Sequence, residues 1–363
     1  MGLKKDLRYM AGFLSDVAST REPRVAYSSG WLGYRNLGDE ALFAAQCLIF
    51  PDCGLVRYPE HRCLGPLRSL LRTPGHCVMA GGTLINGMRG WLDTFLDCQR
   101  WSQTSFIFGS GVQDPAFWEG RGGWTDFRAS WAPALERCFY VGVRGPRSLE
   151  LLQDVGVSGA EVIGDPVLAC ADPARLDEAP GEAPVLGLNI GRTSGNLWGT
   201  EDDLADRMAA MARLADQAGW RVRWFVVWPH DLEITEAAIA KSGVAGEIVA
   251  VYEDYSVYLE EVRGTTVFAG MKLHATVLAT CAWVPSIMLE YRPKCRDYMA
   301  SIGQQDLSVR TDALGGGELW EMTLDVAAHR ADHVQKLAAG MLPLIELQKK
   351  RAAQITESLL TKS

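Results

Sequence analysis

The sequence predicts an α/β protein built from two Rossmann-like domains, and three observations carry that expectation. Short β-branched and aromatic runs ending in glycine alternate with longer helical patterns, as in βα units that feed a parallel sheet. A polar stretch rich in proline and alanine, residues 172–184, interrupts the alternation and reads as an interdomain linker. At 363 residues the chain is also longer than a single hydrophobic core normally supports.

In the first half, strands are expected at 25–28, 55–58, 77–80, 105–108, 139–143 and 161–163. In the second half they are expected at 185–190, 223–227, 248–251, 266–269 and 286–289, with helices such as 202–218 and 272–282 between them. The predicted domains are 1–175 and 183–335. The charged tail, 336–363, reads as a long helix that either packs back on the first domain or serves self-association. Two such halves in succession place a central cleft between the carboxyl ends of two sheets, where ligands of open α/β folds bind. That is the GT-B-type architecture.

Composition narrows the function. A net charge of -8 and a pI near 5.4 argue against a nucleic-acid surface, which needs a clustered cationic footprint. No window supplies the apolar run of a spanning helix, and the N-terminus lacks the unbroken apolar stretch of a secretory signal, so a cytoplasmic protein is expected. The nine cysteines form no Cys-x-x-Cys pair, which points away from a structural zinc and agrees with reduced core thiols.

The most informative segment is GWLGYRNLGDE, residues 30–40, a glycine-rich turn between the first strand and a helix. Gly30, Gly33 and Gly38 permit close backbone approach, while Asp39 and Glu40 sit in the first helical turn, where negative charge is favourable. The spacing is not GxGxxG, so a dinucleotide site is not expected. Asn36, Asp39 and Glu40 read either as helix-start caps or as groups that position or deprotonate a hydroxyl.

Further motifs follow in order: Gly81-Gly82-Thr83, Gly109-Ser110-Gly111, Arg144 with Ser148, Gly164-Asp165-Pro166, Lys272-Leu273-His274-Ala275, and AWVPSIMLEYRPK at 282–294. Together with the first turn this series resembles the polysaccharide pyruvyl transferase family over about residues 25–303. Two departures stand out. Gly145 takes the place of a frequent acid, and Lys272 that of a frequent arginine, so that a point charge replaces a planar fork.

The resemblance implies phosphoenolpyruvate as donor substrate, no further cofactor, and a saccharide acceptor, with the first domain on the acceptor side and the second on the donor side. So dense an anion calls for local cations. Arg144 at a strand end, Lys272, Lys294 and Arg192 are the candidates, with backbone N–H groups beside Gly82, Thr83, Ser110 and Gly111 for further oxygens. His274, at a helix start just after a strand, is assigned as general acid, because an imidazole titrates near the working pH. Among 12 tryptophans, Trp198 in a polar loop is the best placed to stack on a sugar ring. The basic segment from Lys4 to Arg8, with Phe13 and Leu14, is a candidate for peripheral contact with a membrane that carries a lipid-linked saccharide, although a solvated first helix explains it as well. Two other functions fit the same halves: a glycosyltransferase using a nucleotide sugar, and a non-catalytic member of a glycan-assembly complex.

Overall fold

The computed structural model describes residues 11–12, 14–16, 23–28, 32–57, 75–119 and 126–361. The segment from Lys4 to Arg8, Phe13, Tyr58, Gly30 and Trp124 lie outside them. The chain forms two compact units. The first comprises Met1–Tyr34, Leu42–Ala169 and Leu344–Ser363, and the second Arg35–Ala41 and Cys170–Pro343.

The first unit holds β1 (Arg24–Ser28), β2 (Gly54–Arg57), β3 (His76–Ala80), β4 (Thr104–Ser110), β5 (Tyr140–Val143) and β6 (Ala160–Val162). They form one parallel sheet in the order β2-β1-β3-β4-β5-β6. β3 is buried throughout and β4 nearly so, as expected where both faces of a parallel sheet are covered. Alternate residues serve opposite faces. Ala26, Cys77, Met79 and Ile107 pack with Phe95, Trp131 and Leu151, whereas Tyr27, Val78, Phe106 and Phe108 pack with Phe50, Ile355 and Leu359.

The second unit repeats the plan with β7 (Val185–Asn189), β8 (Arg221–Val226), β9 (Glu247–Ala250), β10 (Val267–Gly270), β11 (Ser286–Glu290) and β12 (Ser308–Arg310). Its order is β12-β11-β10-β7-β8-β9, again all parallel. In each sheet the strand order reverses beside the first strand, between β1 and β3 and between β7 and β10. Ligands of doubly wound sheets bind at the carboxyl ends of such a switch point.

The expected strands stand within two residues of the observed ones. β12 was not expected: it has three residues, too few to show a period of two. The stretch 172–184 is no free linker, and the division between units falls ahead of it, after Ala169. Within the second unit the Asp172 carbonyl accepts from Trp283 Nε1 at 2.7 Å, and Arg175 pairs with Glu178 at 2.7 Å and with Glu260. The tail is a helix, Arg330–Thr361, with Pro343 inside it. The part from Leu344 belongs to the first unit, where Gln348 Nε2 donates to the carbonyls of Ile163 and Asp165, both at 2.9 Å. Arg351 forms a two-pronged pair with Glu161 beside it, at 2.6 and 2.9 Å.

Candidate functional site

In the first unit the motif residues gather at the carboxyl ends of β3, β4 and β5. Gly81 and Gly82, at φ 64° and 60°, make two successive left-handed steps, and a β-carbon on Gly81 would stand 2.1 Å from a Leu42 methyl. Ser110 is buried and its Oγ donates to the Gly81 carbonyl at 2.9 Å, while the Gly111 N–H donates to the Gly82 carbonyl at 2.8 Å. Ser148 Oγ accepts from the Val112 N–H at 2.9 Å. Gly33, at φ 83°, turns the chain after β1 with open space where a side chain would begin.

Arg144 corrects an expectation. It is fully buried; Nη1 donates to the Gly82 carbonyl and Nη2 to Thr83 Oγ1, each at 3.1 Å. The fork foreseen for an anion instead braces the two-glycine turn, because the turn presents carbonyls inward where water is excluded and a strong donor is needed. Gly111 is glycine for the same reason, since a β-carbon there would lie 2.3 Å from Arg144 Nη2.

In the second unit, Asn36 starts the helix Leu37–Ile49. Its Oδ1 accepts from the Gly38 N–H at 3.2 Å and its carbonyl from those of Asp39 and Glu40. Asp39 and Glu40 are half-buried in the first turn. The buried Leu37 donates its N–H to the Val227 carbonyl at 3.0 Å. This brings Gly38 against His274: a β-carbon on Gly38 would stand 2.3 Å from the His274 Nδ1 and 2.8 Å from its Cβ. Two motifs more than 200 residues apart in sequence are thus in contact, through the one residue type that leaves room for the ring.

His274 is the second residue of the helix Leu273–Cys281, which Lys272 caps at the end of the turn after β10. Asn189, buried at the end of β7, ties that turn down: its Nδ2 donates to the Phe225 carbonyl at 2.8 Å and its Oδ1 accepts from the Lys272 N–H at 2.9 Å. The Lys272 ammonium lies 3.1 Å from Oδ1 of the fully buried Asp231, donates to the Arg192 carbonyl at 2.9 Å, and stands 5.1 Å from the centre of the Trp228 ring. Asp231 also accepts the Arg192 N–H at 2.8 Å. Burial raises its carboxyl above the usual range, against the pull of Lys272 and that N–H.

The other foreseen cations also have protein neighbours. The Arg192 guanidinium pairs with Glu201 at 3.2 Å and Glu233 at 3.3 Å. Burial pushes the Glu201 carboxyl up, but hydrogen bonds from Thr193, Arg192 and Gly195 outweigh it and leave the group below the usual range. Lys294 stands 4.9 Å over the ring of Tyr291, whose hydroxyl burial pushes up to about 12. Trp198 is half-buried and the Arg310 guanidinium lies 4.1 Å over its ring, so that face is already covered.

Asn189, Asp231, Trp228 and Glu201 were not singled out as site residues in the sequence. The signal was position: Asn189 ends β7, and Trp228 and Asp231 follow β8 as closely as the recognised motifs follow their own strands.

With the geometry in view, comparison with known proteins is decisive. The family model of polysaccharide pyruvyl transferases matches residues 36–293. The chain belongs to this family. Membership makes it a transferase of polysaccharide biosynthesis, and the match spans both units. A comparison with curated proteins finds no match. Among solved structures, a putative UDP-N-acetylglucosamine 2-epimerase from Listeria monocytogenes is similar at TM-score 0.60 and 10% identity, over 94% of this chain and 97% of its own. MnaA from S. aureus, in a co-structure with UDP, gives 0.58 and 9% over 88% and 92%, and a glycosyltransferase from Rickettsia africae gives 0.55 and 10% over 94% and 99%. At such identities these likenesses speak to fold alone, and they agree with the GT-B-type expectation. Among the described residues no helix is long and apolar enough to cross a membrane.

Proposed function

We propose that this family member transfers the enolpyruvyl group of phosphoenolpyruvate to a pair of sugar hydroxyls on a glycan or lipid-linked saccharide, forming a pyruvate ketal. The observation that carries the reading is the contact of Gly38 with His274, which sets one imidazole at the start of the helix that follows Lys272. In this chemistry protonated His274 delivers its proton to the methylene carbon of the donor, and positive charge develops at the adjacent carbon. One sugar hydroxyl attacks that carbon. The carbon–oxygen bond to phosphate then breaks, and the second hydroxyl closes the ring. The two hydroxyl protons are accounted for by recharging His274 and protonating the phosphate.

Asp39 or Glu40, in the turn beside Gly38, is the candidate for binding or deprotonating the acceptor hydroxyl. The backbone N–H groups at the start of His274's helix suit anion oxygens, and they favour a donor site in the second unit. The reading includes a cytoplasmic location and no cofactor beyond the donor substrate. Incubation with phosphoenolpyruvate and a panel of glycans is expected to release phosphate and add the mass of a carboxyethylidene group to one acceptor. Neither product across the panel refutes it.

A second reading draws on the UDP in the co-structure of MnaA. Under it the donor is a nucleotide sugar. Thermal stabilisation by UDP with no response to phosphoenolpyruvate would select this reading, since a ligand of the native state raises the melting temperature.

A further inference from the structure

We infer that Asp231, which lies in none of the motif segments, is a positioning residue that holds the Lys272 ammonium in place for the anionic donor; the inference rests on the pyruvyl-transfer reading above. A lysine ammonium is a hydrated point charge on a stem of four rotatable carbons, and ordering it on a ligand normally costs conformational entropy. Here the ordering is built in. Two of the three ammonium donors are engaged, by Asp231 Oδ1 at 3.1 Å and the Arg192 carbonyl at 2.9 Å. The Trp228 ring stands 5.1 Å from the charge, and Asn189 fixes the lysine's own backbone N–H.

The lock works in both directions. Asp231 is fully buried, and a buried carboxylate stripped of its counter-ion is strongly destabilising, so the lysine is not released to solvent without cost. Asp231 also accepts the Arg192 N–H, so one carboxylate oxygen organises both the cation and the turn after β7. Gly191 completes the arrangement: a β-carbon there would stand 2.0 Å from Lys272 Cε and 2.7 Å from Asp231 Cγ. Lysine fits this place because a compact charge can meet a single carboxylate oxygen and a carbonyl while its third N–H remains for a ligand oxygen.

The test is a double-mutant cycle with Asp231→Asn and Lys272→Met, read by donor KM and kcat in phosphate release. Asp231→Asn is expected to raise the phosphoenolpyruvate KM on the order of tenfold, the effect of one charge-assisted hydrogen bond, with kcat much less changed. In the Lys272→Met background the same substitution should have no further effect on KM. An equal rise in both backgrounds overturns the proposal, because Asp231 then acts independently of the lysine. A fall in KM overturns it too, since Asp231 would merely subtract charge from the site.

Acylation of Lys272, mapped by mass spectrometry with no ligand added, separates this inference from the reading beneath it. If the wild type releases no phosphate, pyruvyl transfer fails. The lysine should still acylate several-fold faster in Asp231→Asn, and unchanged labelling refutes the lock by itself. If Asp231→Asn does not fold, Gly191→Ala wedges a methyl between the Lys272 stem and the Asp231 carboxylate, parts the same pair without removing its charge, and should speed labelling in the same way; unchanged labelling there also refutes it.

Discussion

Gly38→Ala is the sharpest test of where His274 has to stand. Ordinary van der Waals contact begins near 3.4 Å, and the added methyl would lie 2.3 Å from His274 Nδ1, so the ring must retreat by about 1 Å. The substitution should not harm the helix itself, since Gly38 lies in the first turn of Leu37–Ile49 and is not among the positive-φ glycines. Alanine is the better helix former by roughly 1 kcal/mol, which offsets much of the steric cost. Activity has no such offset, because a misplacement of about 1 Å at a reacting group can cost on the order of a hundredfold in rate. The expected outcome is therefore a melting temperature close to wild type and a kcat for phosphate release lower by roughly two orders of magnitude. Comparison of kcat and thermal unfolding on the same preparation checks it. A variant that folds and retains wild-type kcat refutes the argument that the Gly38 contact places a catalytic imidazole.

Three further outcomes are expected. Gly111→Ala puts a methyl 2.3 Å from the buried Arg144 Nη2 and should destabilise the first unit by roughly 1–3 kcal/mol in denaturant unfolding; an unchanged midpoint would dismiss Arg144 as the brace of the Gly81–Gly82 turn. Gln348→Leu strips the Ile163 carbonyl of its side-chain donor while the Asp165 carbonyl keeps the Leu168 N–H at 3.1 Å, and at about 1–3 kcal/mol for one unsatisfied buried group the loss should be visible in urea titration. Glu201 has a lowered pKa in the folded state, so its contribution is complete above the unfolded glutamate range and is lost as pH falls through the folded value. The stability gap between wild type and Glu201→Gln should therefore be widest at neutral pH, narrow once pH falls below the unfolded glutamate value of about 4.3 and close only below the folded value, and a gap independent of pH would refute that assignment.

Strand positions and motif order were readable in the sequence because parallel strands buried on both faces appear as uninterrupted apolar runs ending in glycine turns. β3 and β4 are the clear cases. Side-chain roles were less legible. Arg144 and Lys272 were both read as cations facing a ligand, and neither reading included the partners the structure gives them: a carbonyl and a hydroxyl from the turn after β3 for one, an aspartate from the turn after β8 for the other. Nothing local to either residue announces its partner, since those contacts depend on which strands become neighbours. Gly38 and Gly111 show the converse. Gly38 was noted as permissive backbone and Gly111 for its backbone N–H, whereas each leaves space for one particular side chain from another strand end.

The segment from Leu344 onward has a consequence for how the protein is made. Ile355 and Leu359 fill the core that also contains Val25 and Tyr27, and Gln348 caps the edge of the same sheet. A ribosome has therefore passed Leu359 before β1 meets these packing partners. The nascent N-terminal half must wait with an unfinished apolar face, and a stop codon shortly after Pro343 would leave that half, rather than the one just completed, without its seal.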